Sequence, residues 1–327
     1  MLDNLLDPVI LCFIVGIIGG LLKSDLRLPD QLYETLCIYL LFTIGLKGGV
    51  EFSNASFSAV IFPFSAAITL GISIPIIAYI ILRRIGKLTT TDSASIAAHY
   101  GSVSAVTFAV VLSYLTLKGV AFESFVTVLL VILEIPAIAV GILIARTQAV
   151  PNSSDGGLNT KTDWASLLHE VFLGRTIYLL LGGLFVGYVA GPERIKMVSP
   201  VFFDMFKGAL AIFLLEMGII TSRRFSDLKK TGVFLVGFGI GMPLISGTLG
   251  TVIGALSGLS VGGTTVLATL AASASYIAAP AAMRIALPKA NPTLSLTPAL
   301  GITFPFNIAF GIPIYYTLSV LVHTWKG

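Results

Sequence analysis

Ala97-Ala98-His99-Tyr100-Gly101-Ser102-Val103-Ser104-Ala105-Val106-Thr107 sits at the centre of one long apolar run, and Ala271-Ala272-Ser273-Ala274-Ser275-Tyr276-Ile277-Ala278-Ala279-Pro280 at the centre of another. Both place small, hydroxyl-bearing and helix-breaking residues where an uninterrupted membrane helix would carry leucine or valine. Such centres predict helices that break at membrane depth. Irregular backbone is tolerated there only where protein buries it or where it lines a cavity. The expected fold is an all-α integral membrane protein whose site lies where two broken helices meet.

The composition agrees. Of 327 residues, 56% are hydrophobic and 11% charged, whereas soluble domains carry about a quarter charged residues. A soluble globular domain, a disordered chain, a disulfide scaffold and a nucleic-acid binder are thereby excluded. Cys12 and Cys37 have no metal-ligand spacing. A transmembrane helix needs roughly 20 mostly apolar residues. Ten such runs are predicted, near 6–22, 30–50, 57–82, 91–116, 121–146, 174–190, 198–220, 231–256, 260–286 and 293–322. The first residues carry Asp3 and Asp7 and no basic residue, unlike a signal peptide.

Fourteen of the 20 Lys and Arg lie at the exits of odd-numbered spans, among them Lys23, Arg83, Arg84, Arg223, Arg224 and Arg284. Basic loops stay cytoplasmic, so both termini are expected outside and the Pro/Ser/Gly-rich linker at 148–165 inside.

The linker separates a first five-span half, 1–147, from a second, 166–327, and the halves match weakly in the same order. Ile44-Gly45-Leu46 and Phe52 correspond to Met217-Gly218-Ile219 and Phe225 at an offset of 173. Gly71-Ile72 and Pro75 correspond to Gly239-Ile240 and Pro243 at 168, and Ser102-Val103-Ser104 to Ser273-Ala274-Ser275 at 171. An odd number of spans per half makes the repeat inverted, an arrangement common in secondary transporters, with the substrate site at the midplane between broken spans four and nine. Ordinary helix packing also enriches Gly, Ala, Ser and Thr, and accounts for either motif taken alone.

The physics of the breaks favours an anion. A helix restarting at each break begins with unpaired N–H groups and the positive end of its dipole, and two such ends can hold a small anion without Lys or Arg. The expected substrate site is Gly101, Ser102, Val103, Ser104 and Thr107 with Ser273, Ala274, Ser275 and Tyr276. A carboxylate inside a span is costly and points to function. Glu134, two residues before Pro136, combines a carboxylate with a freed carbonyl, which suits Na⁺ or a proton. Asn307, between Pro305 and Pro313, is the weaker cation-site candidate from the second half, and Glu216 is a second buried carboxylate. Lys47 with Glu51 and Asp204 with Lys207 have helical spacings that allow simple pairing. His99 reads as a hydrogen-bonded structural residue more readily than as a titrating one.

Catalysis has little support. H-E-x-x-H, G-x-S-x-G, a Walker loop and a dinucleotide fingerprint are all missing, and the three histidines are far apart. No cofactor is expected beyond a coupling ion.

The chain resembles the SbtA-type sodium-dependent bicarbonate transporters of cyanobacteria and their bacterial homologues. The resemblance is carried by Ile44-Gly45-Leu46-Lys47-Gly48-Gly49, Gly101-Ser102-Val103-Ser104, Glu134-Ile135-Pro136-Ala137 and, most specifically, the stretch from Ser260 to Thr293 with Arg284 and Pro288-Lys289-Ala290-Asn291-Pro292. It implies ten helices in two inverted repeats and a homotrimer in the bacterial inner membrane. It also implies a core of spans three to five and eight to ten moving elevator-like against a gate of spans one, two, six and seven, with bicarbonate held between the breaks. A cytoplasmic PII-like regulator is implied as a partner. This chain departs from the family pattern in four places. Ser273-Ala274-Ser275-Tyr276 replaces Ser-Ser-Ser-Asp, Glu134 replaces Asp before Ile-Pro-Ala, Ser104-Ala105-Val106-Thr107 replaces Ser-Gly-Ser-Thr, and a double Pro is reduced to Pro280.

The leading reading is a secondary transporter of a small anion, bicarbonate first, coupled to Na⁺ or H⁺. A transporter of another small anion or carboxylate, motivated by Tyr276, and a non-transporting membrane sensor or scaffold remain as alternatives.

Overall fold

The computed structural model describes residues 7–52, 57–147, 173 and 175–326. The linker expected at 148–165 lies outside them. Among the described residues every regular element is a helix. In chain order these are α1 (Pro8–Leu21), α2 (Asp30–Phe52), α3 (Phe57–Arg84), α4 (Thr90–Gly101), α5 (Ala105–Leu117), α6 (Val126–Thr147), α7 (Arg175–Ile195), α8 (Phe206–Leu256), α9 (Val261–Ala272), α10 (Ala278–Ala286) and α11 (Pro292–Trp325). A turn of π-helix, Pro200–Asp204, precedes α8. α11 contains π turns at Ala299–Thr303 and Asn307–Gly311. α8 is two helices joined at Gly232, whose φ of 80° only glycine adopts without strain.

Among the described residues six helices are long and apolar enough to cross a membrane, and seven if the pair Ile177–Ile195 and Pro200–Phe225, bent by 109°, is taken as one span. The gap from the ten expected has physical causes. α1 has 14 residues, about 21 Å at 1.5 Å per residue, against a hydrocarbon core of about 30 Å. α9 ends after 12 residues because its span is broken.

Glycine contacts bring the first and second parts of the chain together. A Cβ on Gly16 would lie 2.0 Å from the Leu215 carbonyl oxygen, and one on Gly218 2.2 Å from that of Phe13, so α1 and the first limb of α8 meet backbone to backbone. α2 and α7 meet in the same way. A Cβ on Gly183 would lie 2.4 Å from the Phe42 oxygen, one on Gly187 2.1 Å from that of Leu46, and one on Gly45 2.3 Å from that of Leu180. Such small-residue contacts let membrane helices pack closely where lipid gives no hydrophobic drive.

The loops gather at two ends. Gly20 abuts Ser222 and Gly86 abuts the Phe234 ring, while the Asn291 N–H donates to Asp92 Oδ1 at 2.8 Å. These contacts place the exits of α1, α3 and the first limb of α8 at one end, together with the α10–α11 loop. At the other end Glu123, between α5 and α6, accepts from the Ser260 N–H and hydroxyl at the start of α9. Thr89 caps α4 by accepting from the Asp92 N–H at 3.1 Å, and Ser260 caps α9 by accepting from the Gly263 N–H at 3.2 Å.

Candidate functional site

The two polar centres found in the sequence are the two helix breaks that face each other. α4 stops at Gly101, Ser102 and Ser104 take extended backbone, and α5 starts after Ser104. The stop is packed as well as local, since a Cβ on Gly101 would lie 2.7 Å from Pro75 of α3. α9 stops at Ala272, Ser273 is extended, and α10 starts at Ala278. Pro280 suits the first turn of α10, where its missing N–H has no intrahelical role.

The breaks are hydrogen-bonded to each other. The Ser104 N–H donates to Ser273 Oγ at 2.9 Å, and the Ser275 N–H donates to the His99 carbonyl at 2.8 Å. Ser273 Oγ in turn donates to the Leu270 carbonyl at 2.8 Å. Ser104 Oγ accepts from the Thr107 N–H and hydroxyl and donates to the Tyr276 hydroxyl at 3.2 Å. Ser275 Oγ accepts from the Ala279 N–H at 3.1 Å and so caps α10. Gly101, Ser102, Val103, Ser104 and Thr107 are thus assembled with Ser273, Ala274, Ser275 and Tyr276 in one buried cluster. Tyr276 joins that cluster through Ser104 and packs edge-on against Phe304 of α11 at 5.6 Å.

Beside the cluster is a small cavity of about 20 Å³, walled by Ala105 and Val106 of α5, Ile277, Leu41 and Ile44 of α2, and Phe213 of α8. That is room for roughly one water. Ala105 and Val106 are the first residues of α5, whose opening N–H groups have no partner in the preceding turn. No Lys or Arg lines this cavity, so the positive end of the α5 dipole is the charge nearest to it that the backbone supplies. Its far wall is α2 and α8, residues that the sequence reading did not select.

Glu134 is 1% exposed on α6. Ser102 Oγ donates to its Oε1 at a long 3.5 Å, while Oε2 has no hydrogen-bond partner among the described residues. A buried carboxylate oxygen without a donor is costly, and a hard cation with oxygen ligands satisfies it. Glu134 therefore touches the first break through Ser102. Asn307 is fully buried in α11 and its amide is engaged at both ends. Nδ2 donates to the Ala272 carbonyl at 2.8 Å, and the Tyr315 hydroxyl donates to Oδ1 at 3.0 Å. It holds the last carbonyl of α9 at the second break.

Other candidates resolve differently. The Glu216 carboxylate accepts from the Leu28 N–H at 3.0 Å and so clamps the loop before α2. Lys47 with Glu51 and Asp204 with Lys207 form no ion pair among the described residues. Asp204 ends the π turn and Lys207 belongs to the next helix, so their sequence spacing does not align them. His99 Nδ1 donates to the Ser95 carbonyl at 2.7 Å. Sequence reasoning missed one network altogether. Pro243 leaves the Gly239 carbonyl without its helical donor. Thr303 Oγ1 donates to that carbonyl at 2.7 Å and accepts from the Tyr100 hydroxyl at 2.8 Å. The proline was visible as the signal, but its partners were not.

The sequence profile of the Na⁺-dependent bicarbonate transporter superfamily matches residues 8–320. The chain belongs to that superfamily. No curated protein matches it. Membership of the Na⁺-dependent bicarbonate transporter superfamily, together with several membrane-capable helices, makes the chain a multi-pass membrane protein of a transporter family. Na⁺ and bicarbonate are the ions that this family's site must accommodate.

Proposed function

We propose that the chain is a secondary transporter that moves bicarbonate, coupled to Na⁺, by an elevator-like displacement of a core against a gate. The core is α3–α6 with the second limb of α8 and α9–α11; the gate is α1, α2, α7 and the first limb of α8. The observation that carries this reading is the pair of facing breaks, hydrogen-bonded to each other and opening at the start of α5 onto a cavity walled by α2 and α8. An anion held there lies between core and gate, so relative movement of the two changes its access.

The reading takes the chain as a five-plus-five inverted repeat, which the glycine contacts support. Exchanging the two repeats turns the α1–α8 contact into the α7–α2 contact. Gly16 and Gly20 then fall on Gly183 and Gly187, an offset of 167, while Phe42, Gly45 and Leu46 fall on Leu215, Gly218 and Ile219, an offset of 173. Thr89 and Ser260, which cap α4 and α9 alike, are 171 apart. The domains are 1–147, 148–165 and 166–327, with both termini outside.

Bicarbonate would be bound by Ser102, Ser104, Thr107, Ser273 and Ser275, with Gly101, Val103, Ala274 and Tyr276 completing the wall. Glu134 would hold Na⁺, and Asn307 would keep the second break in place for it. A homotrimer built on the gate and a cytoplasmic PII-like regulator complete the proposal. The test is uptake of labelled bicarbonate by liposomes carrying the full chain, with Na⁺ and H⁺ gradients imposed separately. Uptake driven by Na⁺ is expected; no uptake under either gradient would overturn the reading. A second reading, transport of another small carboxylate, draws on the Ser104–Tyr276 hydrogen bond, because a phenol at the break reshapes the pocket. Competition by acetate, nitrate and bicarbonate separates the two.

A further inference from the structure

A second cavity, of about 110 Å³, lies further along the same groove between α2, α5 and the start of α8. Lys47 and Glu51 line it from α2, Ser113 and Thr116 from α5, and Lys207 from α8. By water's minimum of roughly 10–15 Å³, it has room for a planar anion of a few heavy atoms with its hydration. Two lysines and one glutamate contribute to the lining, so its formal charge is net positive. Neither lysine forms an ion pair among the described residues. Ser113 is 7% exposed, and its hydroxyl has no hydrogen-bond partner among the described residues. A buried hydroxyl left unpaired is costly, and here it lines a cavity with two lysines, of which Lys47 also acts on Glu51 one turn away on α2.

The cavity is the neighbour of the small one beside the breaks, with Ile44 between them. Ile44 lines both cavities. On α5, Ala105, Val106 and Ala109 line the small one, and Leu112, Ser113 and Thr116 carry the same helical stripe onward into the large one. The break itself offers an anion no basic side chain, whereas this approach to it offers two.

We propose that this cavity is an antechamber that binds one small monovalent oxyanion on Lys47, Lys207 and the Ser113 hydroxyl, and delivers it past Ile44 to the breaks. The proposal rests on reading the breaks as the anion site. Long-range attraction raises the local anion concentration, and a compact ammonium holds an oxyanion loosely enough to release it onward. Glu51 lowers the net charge and thereby favours a monovalent over a divalent anion.

The test uses the full chain in detergent, with Cys12→Ser and Cys37→Ser to remove the native thiols and Thr116→Cys as a reporter on the cavity wall. Rates of modification by an anionic sulfonate thiosulfonate and a cationic trimethylammonium thiosulfonate are compared. The anionic reagent is expected to react faster, bicarbonate to slow it, and Lys47→Gln with Lys207→Gln to lower the anion-to-cation rate ratio by about tenfold. Lys47→Arg with Lys207→Arg keeps the charge and should keep the ratio. Lys207→Gln alone, on an exposed side chain, gives a smaller drop in the same direction and serves if the double variant fails to fold. An unchanged ratio, no protection by bicarbonate, or no labelling by either reagent overturns the antechamber. In liposomes the glutamine pair should raise the bicarbonate KM several-fold at unchanged maximal rate. Intact Na⁺-driven uptake with an unchanged ratio leaves the site at the breaks standing and removes the antechamber. Charge-selective, bicarbonate-protected labelling in a chain that takes up nothing does the reverse.

Discussion

The backbone N–H of Ser275 donates to the carbonyl oxygen of His99 across the two breaks, at 2.8 Å. Together with the Ser104 N–H on Ser273 Oγ, it ties the end of each broken helix to the other. One tie is main chain to main chain and survives any side-chain change; the other depends on a single hydroxyl.

That asymmetry predicts unequal effects for two similar substitutions. Ser273→Ala leaves the buried Ser104 N–H without an acceptor and should cost about 1–3 kcal/mol. Ser275→Ala loses only the cap on the Ala279 N–H, about 1 kcal/mol. Thermal unfolding in detergent should therefore place Ser273→Ala below Ser275→Ala, and its bicarbonate KM should rise more. The opposite order would contradict the way the breaks interlock.

A second prediction concerns Glu134. Glu134→Gln keeps the shape of the side chain and removes the charge that a cation would neutralise. The Na⁺ concentration for half-maximal uptake is expected to rise by about tenfold or more, since charged partners contribute more than 1.4 kcal/mol each. Glu134→Asp should retain Na⁺ dependence at lower affinity. If the Na⁺ titration of the glutamine variant overlays that of the wild type, the cation is held elsewhere.

The glycine contacts give a stability prediction with its own control. Gly16→Ala and Gly49→Ala each place a Cβ 2.0 Å from a backbone carbonyl oxygen, of Leu215 and Leu184 respectively, where neither helix can yield without moving. Both are expected to lose the monodisperse peak in size-exclusion chromatography. Gly182→Ala and Gly208→Ala meet nothing within 4 Å and should be tolerated, with a gain of up to about 1 kcal/mol from helix propensity. Equal behaviour of the two sets would mean that the close approaches of α1 to α8 and of α2 to α7 do not exist in solution.

How much was legible in the sequence differed by residue. Gly101-Ser102-Val103-Ser104 and Ser273-Ala274-Ser275 were readable as breaks because their effect is local: small and capping residues end a helix wherever they stand. The 173 offset was readable because Phe52 and Phe225 anchor it, whereas the 167 offset of Gly16 and Gly20 onto Gly183 and Gly187 was not. Isolated glycines in apolar runs match at many registers, and only their contacts choose among them. Glu216 looked functional because its partner, the Leu28 N–H, is 188 residues away in the chain. Lys47 and Lys207 were read with near neighbours of opposite charge. Lys47 keeps Glu51 beside it on α2, but Lys207 is separated from Asp204 at Met205, where the π turn ends and the next helix starts, and it lines the same cavity as Lys47. The first run, 6–22, was readable almost to the residue at its C-terminal end, where the helix stops at Leu21 and Lys23 turns to a φ of 56°.

The last prediction uses the network around Pro243. The Gly239 carbonyl lacks its helical donor because residue 243 has no N–H, and Thr303 Oγ1 supplies one instead while accepting from Tyr100. Thr303→Val keeps the shape but strands the Gly239 carbonyl and the Tyr100 hydroxyl, and should cost about 2–4 kcal/mol for two unmet buried groups. Pro243→Ala restores an N–H that the Gly239 carbonyl can accept from within α8. In the Pro243→Ala background, Thr303→Val should therefore cost about 1–2 kcal/mol less, because only Tyr100 is left unpaired. Thermal unfolding of the four proteins in one detergent measures the coupling directly. A coupling of zero would show that Thr303 does not serve as the donor that Pro243 removed.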